Sequence, residues 1–104
     1  MGNASHAEGK QTYASADSAH AEGISSQATN TAAHAGGSGS VASGHSSFAQ
    51  GYYVNAKEKH QTVFGRLNKD NANALFIIGN GNSSNWLKSN AFEVLADGSA
   101  KIQT

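Results

Sequence analysis

Alanine stands at residues 7, 14, 21, 28, 35, 42, 49 and 56, and the next term of this series of sevens is Val63. Two residues before each alanine comes a small side chain in most repeats (Ser5, Thr12, Ala19, Ser26, Ala33, Ser40, Ser47). Two residues after it comes Gly9, Ala16, Gly23, Asn30, Gly37, Gly44 or Gly51. Successive side chains of a strand point to opposite faces, so a spacing of two gathers the small residues on one face. The glycine then marks a turn. A period of fourteen is superimposed, as His6-Ala-Glu-Gly9, His20-Ala-Glu-Gly23, His34-Ala-Gly-Gly37 and Phe48-Ala-Gln-Gly51. Two short strands and two corners therefore make one coil.

Self-similarity at a fixed period is the signature of a solenoid, whose coils bury their faces by stacking on one another. A coiled coil would need bulky apolar residues at two positions per seven, which residues 1–47 lack. A Gly/Ser/Ala-rich segment also resembles a disordered one, but a flexible linker has no reason to hold an unbroken register. The expected fold class is all-β, a β-solenoid with 14-residue coils. At roughly 4.8 Å per coil, five coils give a rod about 24 Å long.

Of the large apolar and aromatic residues, only Met1, Tyr13, Ile24 and Val41 lie in residues 1–47. Burial contributes only about 0.8 kcal/mol per CH₂, against a backbone ordering cost of roughly 1–2 kcal/mol per residue. Identical chains packed side by side would supply the missing burial, so an obligate homo-oligomer is expected. From Phe48 onward the chain turns apolar. Residues 1–61 are read as head repeats and residues 62–104 as a β-rich cap or neck. The boundary is graded, because Thr62-Val-Phe-Gly65 and Phe76-Ile-Ile-Gly79 keep the rhythm of fourteen. Leu75–Ile78 reads as a strand entering the loop Gly79-Asn-Gly-Asn-Ser-Ser-Asn85. Phe92 and Val94, the turn Asp97-Gly98 and a return over Ala100–Ile102 read as a β-hairpin.

Ser38-Gly-Ser-Val-Ala-Ser-Gly-His-Ser-Ser-Phe-Ala-Gln-Gly51 resembles the head repeat of trimeric autotransporter adhesins of the YadA type, S-V-A-I-G-x-x-S-x-A-x-G, over residues 5–65. That resemblance implies a left-handed parallel β-roll and a homotrimer around a threefold axis. The alternate positions, often Val and Ile in the family, are mixed here: Tyr13 and Ser15, Gln27 and Thr29, Val41 and Ser43, Asn55 and Lys57. They would face partner chains or water. The stretch from Thr62 to Gly81 with Ser89–Gly98 resembles a segment of bacteriophage and prophage tail-fibre or tailspike proteins. The two together imply a structural and attachment module of a virion tail fibre that meets a host cell-surface glycan or protein receptor. The alternative is the head of a bacterial adhesin at the cell surface, and a more remote one is a glycan-degrading tailspike fragment.

Seven Lys/Arg balance seven Asp/Glu without a charged block, so neither nucleic acid nor an anionic membrane is an expected partner. No run of about 18 apolar residues is present to insert in a bilayer, and the N-terminus lacks a basic-then-apolar signal peptide. Met1-Gly2 placed directly on a running repeat suggests a fragment. Zero cysteines exclude disulfides, and zero prolines suit an uninterrupted ladder. No G-x-S-x-G or H-E-x-x-H motif occurs, so no enzyme is expected. Glu8 and Glu22 recur one coil apart and read as solvated repeat positions.

No cofactor and no metal is expected either, although His6, His20 and His34 form a column that could hold a metal or anion, threefold symmetry multiplying each to a ring. Ordinary polar contacts are the reading preferred for that column, which ends at Phe48. Tyr52, Tyr53 and Trp86 are the receptor-binding candidates, since flat rings with a polar edge suit sugars. Trp86 with Leu87 could instead close an oligomer core.

Overall fold

The computed structural model describes residues 2–103, which contain strands and turns and no helix. The strands are β1 (His6–Ala7), β2 (Tyr13–Ala14), β3 (His20–Ala21), β4 (Gln27–Ala28), β5 (His34–Ser38) and β6 (Val41–Ala42). They continue as β7 (Phe48–Tyr52), β8 (Asn55–Ala56), β9 (Thr62–Arg66), β10 (Ala74–Asn80), β11 (Asn90–Leu95) and β12 (Ala100–Ile102). Odd-numbered strands up to β9 lie side by side and run on into β10, β11 and β12, forming an eight-stranded sheet. Strands β2, β4, β6 and β8 form a second sheet of four.

Every parallel pair is offset by one coil: His6 lies beside His20, His20 beside His34, His34 beside Phe48, Phe48 beside Thr62, and Thr62 beside Phe76. In the small sheet the same offset sets Tyr13 beside Gln27, Gln27 beside Val41 and Val41 beside Asn55. The chain is thus a β-solenoid of about five coils of ~14 residues. The period seen in the sequence is the register of the ladder.

Both columns of small residues point inward. Ala21, Ala28, Ala35, Ala42, Ala49 and Ala56 are fully buried, as are Ser26 and Ser40. Side chains this small let the two sheets approach closely, and the molecule measures only 12 Å along its shortest axis. The alanine core is closed within one chain. What a single chain leaves uncovered is its outward faces, where Tyr13, Ile24, Phe64, Leu75, Ile78 and Trp86 are exposed.

The corners follow a rule that the glycines only half reveal. A left-handed residue occurs every seventh position, at Ala4, Gln11, Ser18, Ser25, Ala32, Gly39, Ser46, Tyr53, His60 and Leu67, with φ between 43° and 68°. Nine of these ten are not glycine. The ladder offsets the strain. From Ser18 onward each such N–H turns back to the coil before, as Ser25 to the Lys10 carbonyl (2.8 Å), Tyr53 to Ser38 (2.8 Å) and His60 to His45 (2.9 Å). Gly9, Gly23, Gly37, Gly51 and Gly65 add a second positive φ, in alternate corners only. A Cβ at any of them would run into the carbonyl oxygen of the glycine one coil on.

The small sheet ends at β8 because two amides replace the next strand. Along the solenoid a strand N–H donates to the carbonyl thirteen residues ahead, as Val41 to Val54 (3.0 Å) and Ser43 to Ala56 (3.0 Å). At Asn55 that acceptor is the Asn68 side chain (2.8 Å), which also donates to the Asn55 carbonyl (3.2 Å). At Lys57 it is Gln61 Oε1 (3.1 Å), while Gln61 Nε2 donates to the carbonyls of Asn71 (2.9 Å) and Ala74 (2.8 Å). Both amides are buried in the column that Ser and Ala fill elsewhere. Beyond them, β10 pairs antiparallel with β11 and β11 with β12, Glu93 facing Lys101.

Candidate functional site

Tyr52 closes β7, and Tyr53 is the left-handed residue of the corner that follows, with φ 50°. The ladder fixes both: the Tyr53 N–H donates to the Ser38 carbonyl (2.8 Å), and the Leu67 N–H donates to the Tyr52 carbonyl (3.0 Å). The Tyr53 ring covers Gly39, one coil earlier, where a Cβ would lie 2.6 Å from it. Glycine at this one corner is what seats the ring.

Trp86 arrives from the loop after β10. That loop is closed at its base, where Asn82 and Leu87 exchange backbone hydrogen bonds of 2.8 and 3.2 Å. Asn82 Oδ1 accepts the Ser84 N–H (2.8 Å), and Asn85 Oδ1 accepts the Leu87 N–H (3.2 Å). Arg66, beside Tyr52 in the ladder, ties the loop to the coil: its Nε donates to the Gly81 carbonyl (2.7 Å), and the Gly81 N–H donates to the Arg66 carbonyl (3.0 Å).

The three rings predicted from sequence therefore meet at one corner. Tyr52 and Trp86 lie 6.3 Å apart at 22°, Tyr53 meets Trp86 edge to face at 5.1 Å, and Tyr52 meets Tyr53 at 4.8 Å. Such offset and edge contacts are favourable for aromatic quadrupoles. They steady the rings against each other, while Trp86 stays 55% exposed and the tyrosines 40% and 43%. Steadied apolar faces with hydroxyl and indole N–H edges can stack on a ligand and hydrogen-bond it. Trp86 does not close a core within the chain. The sequence reading missed the neighbours of the cluster. Counting by fourteen from Tyr52 finds them: Ser38 and Ile24 on one side, Arg66 on the other.

The histidine column is a stack of rings on the outward face of the large sheet. His6 and His20 lie 4.8 Å apart, His20 and His34 4.6 Å, and His34 and Phe48 4.4 Å, with planes within 11° of parallel. Phe64, Phe76 and Phe92 prolong it edge to face at 5.7 to 6.3 Å. Glu8 contacts His6 (3.3 Å) and Glu22 contacts His20 (2.8 Å). The hydrogen bond from His20 holds the Glu22 carboxyl below its usual range. His45 and His60 stand away from the stack and meet each other edge to face at 6.1 Å.

At the other end a cleft of about 400 Å³ is lined by Lys69, Asn71, Asn90, Glu93, Lys101 and Gln103, among others. Glu93 accepts from Asn71 (2.8 Å) and Asn90 (3.0 Å). The Asn71 bond foremost keeps its carboxyl low, against the opposing effect of burial.

No family model, curated protein or solved structure matches this chain.

Proposed function

We propose that this chain is a non-enzymatic structural and attachment module of a bacteriophage tail fibre, acting as a homotrimer and binding a host cell-surface glycan. The observation that carries this reading is the exposed cluster of Tyr52, Tyr53 and Trp86 on a corner whose backbone is fixed by the coil ladder. A rod that presents three copies of one surface raises avidity through effective concentration. In this reading β11 and β12 form a hairpin cap on a left-handed roll. Glu8 and Glu22, each engaged by a histidine, are structural carboxylates rather than an acid and base pair. The head of a trimeric bacterial adhesin is the second reading, supported by the S-x-A-x-G repeat of residues 5–65.

Light scattering over a concentration series, followed by glycan-array and whole-cell binding, tests the proposal. A mass near three times 10.7 kDa that persists on dilution, with saccharide binding, is expected. A stable folded monomer would overturn the trimer, and trimers that bind matrix proteins but no glycan would favour the adhesin. Release of new reducing ends from a bound polysaccharide would overturn the non-enzymatic assignment.

A further inference from the structure

The outward face of β1, β3 and β5 carries chemistry that the attachment reading leaves unused. His6, His20 and His34 each precede an inward alanine, so their rings point away from the core and stack across coils. Strand alternation puts a carboxylate beside the first two, Glu8 after His6 and Glu22 after His20. The ligand atoms of His20, Glu22 and His34 all lie within 4.8 Å of one another, as do those of His6, Glu8 and His20.

We propose that His20, Glu22 and His34 form a binding site for a divalent transition-metal ion of the zinc class, two imidazoles and one carboxylate being completed by water. This donor set is that of borderline-soft ions. Calcium and magnesium take six or more oxygen ligands and would be rejected. His20 belongs to both trios, so the face holds one ion per chain.

The upper trio is the better shielded, with His20 and His34 both partly buried while His6 and Glu8 are exposed. It also has a polar neighbour from the next coil. Residue 36 is glycine where the earlier coils have glutamate, and the Gln50 side chain folds over it to hydrogen-bond His34.

Tetrahedral zinc with bonds of about 2.0–2.1 Å sets its donors about 3.3 Å apart. The rings of His20 and His34, now parallel at 4.6 Å, must lean together at their tips. The ion replaces the hydrogen bond between His20 Nε2 and Glu22 Oε1 (2.8 Å). Side-chain torsions supply this movement and the backbone ladder stays in place, so the ion clamps two successive coils.

Isothermal titration of the chelator-stripped full chain with zinc chloride tests the site, with calcium chloride as comparator. The expected result is one zinc per chain and no calcium. His20→Gln and Glu22→Gln should each weaken zinc by about tenfold or more, since even outer partners of zinc ligands matter by about 10- to 100-fold. His45→Gln and His60→Gln should leave the affinity unchanged. NMR should show the ring signals of His20 and His34 moving with zinc while those of His45 and His60 stay, a readout that stands even where a variant fails to fold. Zinc binding that survives both His20→Gln and Glu22→Gln, one ion per three chains, equal binding of calcium, or no binding at all would overturn the proposal.

Discussion

Replacing Gln61 with alanine tests whether the second sheet ends where it does because an amide stands in for a strand. The side chain is 2% exposed, donates to the carbonyls of Asn71 (2.9 Å) and Ala74 (2.8 Å), and accepts from the Lys57 (3.1 Å) and Glu58 (3.4 Å) N–H groups. Water can reach Lys57 and Glu58, which are exposed or partly so; Ala74 is buried. The Asn71 carbonyl keeps the Ala74 N–H (3.2 Å); leaving the shielded Ala74 carbonyl without its amide donor costs about 1–3 kcal/mol, and the vacated volume adds about 1 kcal/mol. The expected loss is about 2–4 kcal/mol, a large share of the roughly 5–15 kcal/mol that holds a domain of this size together. Urea titration followed by circular dichroism at one fixed chain concentration measures it, because oligomerisation makes apparent stability concentration-dependent. Gln27→Ala removes the same groups from an exposed position, and should stay within about 0.5 kcal/mol of the parent. A loss below about 1 kcal/mol for Gln61→Ala would refute the reasoning, since a buried unpaired group alone costs that much.

Gly37 and Gly98 both have φ near 90°, but only at Gly37 would a Cβ meet backbone, and Gly98 has nothing within 4 Å. Gly98→Ala should therefore cost about 1 kcal/mol and Gly37→Ala about 3 kcal/mol or more, read in the same urea titration; equal losses would remove stacking as the reason for the glycine column. Glu93 has its carboxyl held low, mainly by Asn71, so it adds stability above the unfolded carboxyl pKa that is lost as pH falls through the folded value. The stability gap between the parent and Glu93→Gln should shrink below about pH 4, and a gap independent of pH would refute this. Trp86→Ala should leave the melt unchanged, because the ring is 55% exposed, yet weaken glycan binding about thirtyfold, or about 2 kcal/mol, by calorimetry with a saccharide identified on the array; unaltered affinity would move the site elsewhere.

The ladder was legible because one residue type repeats at one spacing: Ala7 to Ala56 name the inward face, and His6, His20, His34 and Phe48 name the register. The corners were less so. The backbone geometry recurs every seven residues at Ser18, Ser25 and Ala32, but the conformation is imposed by cross-coil hydrogen bonds, which many side chains tolerate, so composition does not mark it. Gln61 and Asn68 sit seven and fourteen residues after Val54 in the inward column, and counting alone would place them there. Their role depends on amide groups finding the backbone of Asn55, Lys57 and Ala74, which a pattern of residue sizes does not encode. Tyr52, Tyr53 and Trp86 were chosen for their chemistry. Their meeting depends on a loop whose closure by Asn82 and Leu87 has no periodic signal.

Association and recognition make different demands on the surface of so thin a solenoid, and the chain places suitable residues in different locations. The outward face of the large sheet is broad and becomes apolar toward the C-terminal strands, through Phe48, Phe64, Phe76, Ile78 and Phe92. A flat, laterally extended patch of this kind suits a copy of the same chain, since identical rods can align along their length and cover one another. The aromatic cluster instead crowns a corner, the one part of each coil that turns away from both sheet faces. Packing through the large face would cover Phe64 and Ile78 and leave Trp86 in solvent. In the proposed reading, an attachment site at a corner would be repeated, not buried, where chains associate through that face, and would gain avidity from the repetition.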